Sequence, residues 1–329
     1  MKPTLGLIAR FKMVAAVQTR ERNALCDNTK ATYIHWLRLF WKYIAPKPAS
    51  QWTGQDVELF MWHLETEKYA PKSRKQALCA LVYVFKNVLE QDPGRLNLPA
   101  MPKEKPTLKI IPNRAELGRI FAGMKGQPRL MAALMYGSGM RVMECCTLRV
   151  KDLDFDARTI RVHGGKGDKD RLVLMPDNLA SALQKQIAWR LALHHRDCEE
   201  GAGFVELPGR YAIKSRSAAR SPEWQYLFPS TCIRGQRRWH TTPESVQQAL
   251  KAAVKAAGIL KRITPHTLRH AYCTHSLRSG NDAPTVQALM GHDSLETTVL
   301  YSHADAARGV SPLDCGDLQP ARLALPAFS

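Results

Sequence analysis

The chain has 329 residues, and 48 lysines and arginines against 29 aspartates and glutamates give it a net charge of +19. That length is typical of two globular domains, and the charge indicates a polyanionic partner: nucleic acid, or, as an alternative, an acidic membrane surface. No run of about 18 apolar residues is present, and Arg10 and Lys12 interrupt the apolar N-terminus, so we expect neither a membrane span nor a secretory signal. Eight scattered cysteines without a CxxC pair favour a reducing, cytoplasmic location.

The first 100 residues predict a bundle of three or four helices. Apolar side chains recur at helical spacing up to Ile44 after a cap at Asp27 or Asn28, and again over Gln55–Lys68 and Lys72–Glu90. The following tryptophans are expected in its core: Trp36, Trp41, Trp52 and Trp62. Three cations cluster where the third helix begins, which favours phosphate binding there: Lys72, Arg74 and Lys75.

A stretch rich in proline and lysine, residues 101–110, predicts an extended linker to a second domain over residues 111–303, with a C-terminal tail over 304–329. The second domain alternates helical patterns with two short strands on either side of a glycine-rich tip that carries Lys166. Helices are predicted at the following segments: Arg114–Met124, Arg129–Tyr136, Arg141–Leu148, Asn178–Arg196, Pro243–Ala257, Pro265–Ser279, Ala283–Met290 and Leu295–Ser302. The expected fold class is therefore mainly α with a small β-sheet.

Residues 264–303 hold the densest set of polar groups. Thr264 and Pro265 predict a helix start, and the i, i+3 spacing places His266 and Arg269 on one face of that helix. Further along, Asp282 is expected to cap the next helix and Gly291 to end it.. Two more polar residues follow, His292 in the turn and Tyr301 nine residues later.

Arg141 follows a Gly-Ser-Gly turn, and Glu144 lies three residues later on the same helix face. Two arginines can hold a phosphate, histidines can move protons, a lysine can protonate a leaving alkoxide, and a tyrosine can attack phosphorus. The sequence contains no set of carboxylates typical of a metal site. We therefore expect phosphoryl transfer to Tyr301 with no metal and no cofactor.

The order of these residues resembles that of the tyrosine recombinase (phage integrase) family. The resemblance rests on the strings GSGMRVMECCTL, GGKGDKDR, TPHTLRHAYCTH and MGHDSLETTVLYSH, and it covers about 160 residues. It implies the following catalytic residues: Arg141, Lys166, His266, Arg269, His292 and Tyr301, with Glu144 in support. It also implies an N-terminal core-binding domain, a C-shaped clamp on DNA, a monomer free in solution and a homotetramer on DNA.

Within that family the chain is most similar to the integron integrases, which carry an extra segment in the catalytic domain. Residues 199–230 resemble that insertion, and residues 307–314 resemble the subfamily's C-terminal ending. The implied substrates are the folded single strand of a gene-cassette site and a duplex site, contacted by Trp224, Trp239 and His240. The chain has one tryptophan near residue 224 where the subfamily usually has two, and Trp239-His240 in place of a His-His pair.

Other interpretations of the same residues stay open at this point. The chain could act on duplex DNA only, as a phage-type or chromosome-dimer-resolving recombinase, or bind DNA without catalysis; a type IB topoisomerase shares the mechanism. Taken singly, Arg141 and Glu144 could form a surface ion pair, and Tyr301 could be a buried helix tyrosine. The spacing of His266, Cys273 and His275 is not that of a structural zinc site.

Overall fold

A computed structural model of the chain describes residues 3–17, 25, 27–102, 111–163, 170–208, 211, 215 and 217–291. Contacts divide the chain into two compact units, Met1–Thr107 and Leu108–Ser329. Most of the predicted linker, Lys166, His292, Tyr301 and the predicted tail lie outside the described residues. No helix in the described ranges is long and apolar enough to cross a membrane.

The first unit is helical throughout its described elements. These are α1 (Pro3–Val17), α2 (Asp27–Ile44), α3 (Gly54–Thr66) and α4 (Pro71–Val84), which a π-helical turn (Phe85–Leu89) extends. Helix α3 begins where Thr53 and Asp56 cap each other's backbone N–H groups. Helix α1 was not predicted, because the cations that interrupt its apolar stretch hide the pattern.

The core of this unit consists of aromatic and aliphatic side chains from all four helices. Phe40 lies between Trp52 and Phe60, with ring centroids 5.0 and 5.3 Å away. Trp36 and Trp52 are buried and Trp41 packs against the core, as expected. Trp62 is an exception: it is 48% exposed, because it lies on the outer face of α3, one position past the buried Met61.

The second unit combines helices with short strands. Its described helices are α5 (Arg114–Gly123), α6 (Gly126–Ser138), α7 (Val142–Cys146), α8 (Asp177–Glu199), α9 (Pro243–Ala256), α10 (Pro265–Arg278) and α11 (Ala283–Met290). Its described strands are β1 (Leu153–Asp154), β2 (Thr159–Val162), β3 (Arg171–Leu174), β4 (Pro229–Arg234) and β5 (Arg237–His240). The predicted fold class, mainly α with a small sheet, is confirmed.

The strands form two antiparallel sheets in the described part of the unit. One has the order β1-β2-β3, with Ile160 opposite both Leu153 and Val173. The other is the hairpin β4-β5, which was not predicted. Its strands carry arginines on both sides of the turn, so they lack the apolar alternation that predicts a strand.

Helix α6 lies at the centre of the second unit, and every residue from Arg129 to Ser138 is buried. Helices α5, α9 and α10 pack around it. The segment that resembles an insertion is docked on this core by backbone pairing: Leu227 N–H donates to the Leu148 carbonyl at 2.8 Å, and Val150 N–H to the Gln225 carbonyl at 3.0 Å. The Arg149 guanidinium adds hydrogen bonds of 2.7 Å to the carbonyls of Trp224 and Glu206.

Candidate functional site

Arg141 is positioned by the sharp end of helix α6. Gly139 ends that helix with a left-handed φ of +69°, and Arg141 then caps α7. The Arg141 backbone N–H donates to Glu144 Oε2 at 2.7 Å, and its Nη1 donates to Glu144 Oε1 at 2.8 Å. The ion pair foreseen for these two residues is present, but it is not a simple surface pair, because Glu144 is only 9% exposed.

A second arginine completes the surroundings of Glu144. Arg171, the first residue of β3, donates through Nη1 to Oε1 at 2.9 Å and through Nη2 to Oε2 at 2.7 Å. Burial raises the pKa of Glu144, but the hydrogen bonds from Arg171 and then from Arg141 outweigh it and lower that pKa to about 2. The carboxylate therefore stays ionised at any ordinary pH.

Arg269 lies close by and is almost completely buried, with 1% of its surface exposed. Its Nη1 donates to the Gly139 carbonyl and its Nη2 to the Met290 carbonyl. Burial, and next the positive charge of Arg141, lower the pKa of Arg269 to about 10, so it remains protonated at neutral pH.

These groups meet at the end of helix α11. Gly291 ends that helix with a φ of +61°, and Arg141 Nη2 lies 3.3 Å from the Gly291 carbonyl oxygen. On the other side, a Cβ at Gly291 would lie 3.1 Å from Cδ of Arg171. Two guanidinium groups, those of Arg141 and Arg171, thus bind the Glu144 carboxylate, and the third, that of Arg269, binds the Met290 carbonyl one residue before Gly291. The Arg141 side chain is 34% exposed, so it can offer N–H groups to an anion.

His266 lies in the first turn of helix α10, one turn before Arg269. Its cap is the predicted one: the Thr264 side chain accepts from the Thr267 N–H, and Pro265 occupies the first turn. The His266 side chain is exposed, and its ring lies 4.3 Å from that of His270. Among the described residues, no three His, Cys, Asp or Glu side chains are grouped to hold a metal ion.

Of the residues predicted to be catalytic, the structure therefore brings Arg141 and Arg269 together at the end of helix α11, with His266 on the same helix as Arg269. Lys166, His292 and Tyr301 lie outside the described residues. Arg171 was missed as a site residue. The string GGKGDKDR ends on Arg171, which begins the alternating strand, but the sequence alone does not pair this residue with Glu144.

The three cations predicted to bind phosphate at the start of α4 do not all face solvent. Lys72 and Lys75 are exposed and line a surface cavity of about 630 Å³ with Tyr33. Arg74 corrects the prediction, because it is 4% exposed: its Nη1 lies 3.1 Å from Glu65 Oε1, and its Nη2 donates to the Ala100 carbonyl at 3.4 Å. On this helix it faces the interior of the unit rather than a partner.

The predicted base-stacking role of Trp224 is also corrected. Its ring is buried, with Lys151 Nζ 3.2 Å from the ring centroid and the Tyr211 ring 4.7 Å away. Trp224 belongs to the small apolar cluster through which the insertion-like segment packs, which explains its burial. Trp239 and His240 are half-buried on β5, where the His240 ring lies 5.2 Å from that of Tyr226.

Comparison with known proteins agrees with this architecture. A model of the phage integrase family matches residues 114–308, and a model of the phage integrase N-terminal SAM-like domain matches residues 14–94. The chain is 38% identical over 296 residues to an integrase/recombinase of Escherichia coli, covering 87% of this chain and 88% of that protein. It is 30% identical over 255 residues to tyrosine recombinase XerA of Pyrococcus furiosus, covering 77% of each.

Among solved structures, the fold is similar to that of the Tn1549 transposon integrase in complex with transposon right end DNA. The TM-score is 0.56 at 19% identity, over 91% of this chain and 97% of that one. Fold and family match together define an enzyme of the tyrosine recombinase class. The chain belongs to the phage integrase family, and the resemblance that the motifs indicated is confirmed at that level.

Proposed function

We propose that the chain is a site-specific DNA recombinase that cuts and rejoins DNA through a covalent 3′-phosphotyrosine intermediate on Tyr301. The observation that carries the proposal is the convergence of Arg141 and Arg269 on the end of helix α11, at Met290 and Gly291. A scissile phosphate beside that turn would meet two guanidinium donors, and residue 292 follows immediately in the chain. The net charge of +19 favours the same polyanionic substrate.

In the proposed reaction, the Tyr301 oxygen attacks phosphorus and passes its proton to one of the two histidines, His266 or His292. The new P–O bond to tyrosine forms, and the bond to the 5′ oxygen breaks. Lys166 donates a proton to that leaving oxygen. Arg141 and Arg269 stabilise the charge that develops on the non-bridging oxygens. His266 and His292 supply further hydrogen bonds and proton transfer near neutral pH. Attack by a new 5′-hydroxyl reverses the sequence, so no nucleotide is consumed.

The proposed substrates are the sites of gene cassettes, a folded single strand and a duplex site, which the enzyme would join and separate as a homotetramer in the cytoplasm. The support is the segment over residues 199–230, which is docked on the catalytic unit by the backbone pairing of Leu227 and Val150. Beside it lie Trp239 and His240, whose half-buried rings are candidates for contact with unpaired bases. Lys72 and Lys75 would contact the DNA backbone from the first unit.

The second candidate is a recombinase that acts on duplex DNA only. It is favoured by the burial of Trp224, which removes one of the aromatic groups proposed for unpaired bases.

A nicked suicide substrate separates the two candidates. The wild-type chain and Tyr301→Phe are incubated with the duplex site and with the folded bottom strand of a cassette site, and the covalent adduct is resolved on denaturing gels. An adduct on both substrates that Tyr301→Phe abolishes is the expected result. An adduct on the duplex alone supports the second candidate, and no adduct on either contradicts the recombinase proposal.

A further inference from the structure

We infer that Arg171 is a positioning residue of the proposed catalytic centre: it fixes Arg141 through Glu144 and joins strand β3 to the end of helix α11. The inference rests on the proposed function, because it concerns how the arginine that would bind the scissile phosphate is held. Arg171 is not among the residues to which the family resemblance gives a role.

The first contact is a two-point ion pair. The two terminal nitrogens of Arg171 meet the two carboxylate oxygens of Glu144 at 2.9 and 2.7 Å, and both side chains are largely buried. A guanidinium fork fixes the plane of a carboxylate as well as its distance, which a single-point contact does not.

That carboxylate is also what holds Arg141. Each Glu144 oxygen accepts one N–H of Arg171 and one of Arg141: Oε1 accepts from Arg141 Nη1, and Oε2 accepts from its backbone N–H. Arg141 itself is 34% exposed, so its side chain is held by Glu144 and the Gly291 carbonyl rather than by close packing on all sides. The orientation of Arg141 therefore depends on a carboxylate whose own orientation Arg171 sets.

Arg171 also holds the turn that precedes residue 292. Its Nε donates to the Leu289 carbonyl at 3.0 Å, and its aliphatic part lies so close to Gly291 that a Cβ there would be 3.1 Å from Cδ. Arg171 begins β3 and follows, along the chain, the segment that carries Lys166. Its side chain thus connects three parts of the chain to which catalytic residues are assigned: the start of β3, helix α7 beside Arg141, and the end of helix α11.

The test compares Arg171→Met and Arg171→Lys with the wild type on the nicked duplex substrate, in single turnover at saturating DNA, with DNA affinity measured in parallel. We expect Arg171→Met to slow formation of the Tyr301 adduct about 10²-fold, as small misplacements of catalytic groups do. DNA affinity should change less than about threefold, since Arg171 itself is not proposed to touch DNA. Arg171→Lys keeps the charge but not the fork, and its rate should lie in between.

Arg190→Met is the matched control. Arg190 is also a buried arginine of the second unit, and it donates to the Tyr226 carbonyl and to Gln225 Oε1 without contacting Glu144, Arg141 or Gly291. It should lower the thermal midpoint while leaving the cleavage rate of the folded protein on duplex DNA unchanged. An equal loss of rate in both Met variants would show that Arg171 acts through general stability, and would overturn the inference.

A double variant covers the case in which Arg171→Met fails to fold because Glu144 is left unpaired. Arg171→Met with Glu144→Gln removes that buried charge, and if Arg171 acts through Glu144 the double variant is as slow as Glu144→Gln alone. Wild-type cleavage by the double variant or by a folded Arg171→Met contradicts the role of Arg171 only. Absence of a Tyr301-dependent adduct from the wild-type chain contradicts the proposed function, and the inference falls with it.

Discussion

Gly139 lies directly against the ring of Tyr272, so that a Cβ at Gly139 would come within 2.6 Å of Tyr272 Cδ1. In addition, its φ of +69° is a backbone conformation that residues other than glycine rarely adopt. We predict that Gly139→Ala destabilises the second unit by more than the about 1–3 kcal/mol of backbone strain alone, because the ring or the helix end must also shift. Thermal or urea denaturation measures the loss.

Gly258 provides the control for that prediction. It has a similar φ of +66°, but a Cβ there would meet nothing within 4 Å. Gly258→Ala should therefore lower the free energy of unfolding by the backbone strain alone. Equal losses at the two positions would show that the contact with Tyr272 carries no weight.

Glu144 should make the stability of the second unit depend on acid pH. Because its folded pKa is lowered from 4.5 to about 2, the ionised form stabilises the fold above pH 4.5, and this contribution disappears as the pH falls toward 2. It corresponds to about 3 kcal/mol at neutral pH. We expect Glu144→Gln to be clearly less stable than the wild type at pH 7, and the difference to shrink in urea denaturation between pH 4.5 and 2.

Asp156→Asn, which removes an exposed carboxylate of the same unit, is the comparison. If its stability difference from the wild type narrowed in the same way, the effect would not belong to Glu144.

The two arginines of the proposed phosphate site should affect chemistry more than binding. Arg141→Ala or Arg269→Ala removes a donor to the charge that develops on phosphorus, so cleavage should fall by about 10²–10³ or more. Single-turnover adduct formation and filter binding on the same nicked duplex measure the two quantities. A loss of DNA affinity as large as the loss of rate would indicate that the arginines mainly anchor the DNA.

The lysines of helix α4 should determine part of the salt dependence of DNA binding. Lys72→Gln and Lys75→Gln each remove an exposed charge, and each should reduce the slope of log affinity against log salt by about one if the lysine contacts a phosphate. Arg74→Gln should leave the slope unchanged and lower stability instead, because Arg74 is buried against Glu65. A reduced slope for Arg74→Gln with intact stability contradicts this assignment.

Local signals in the sequence were sufficient for most helices and for part of the site. The start of α10 at Thr264, the cap of α11 at Asp282 and its end at Gly291 were all predicted, and all are present. Each depends on the chemistry of a few consecutive residues, such as a side chain that accepts from an N–H two or three positions later. The i, i+3 contact between Arg141 and Glu144 is local in the same sense.

What could not be predicted depends on contacts between residues far apart in the chain. Arg171 contacts Glu144, 27 residues earlier in the chain, and Trp224 is covered by Lys151. The residues next to Arg171 and Trp224 in sequence therefore do not indicate what surrounds their side chains. In the sequence, Arg74 looks like Lys72 and Lys75, a basic residue in the first turn of a helix. Only the way α4 packs makes Arg74 buried and the two lysines exposed. The hairpin β4-β5 lacks an apolar period because its Arg238 is paired inside with Asp197.

Both groups that accept hydrogen bonds from Arg269 are backbone carbonyls at helix ends. Gly139 and Met290 are the C-terminal ends of helices α6 and α11, so the negative ends of two helix dipoles point at one guanidinium group. Carbonyl dipoles offset the cost of burying the cation, yet they carry no formal charge that would cancel its own. Arg269 is thus held firmly in the interior while its field remains available to an anion, in contrast to Arg171, whose charge is matched by a carboxylate.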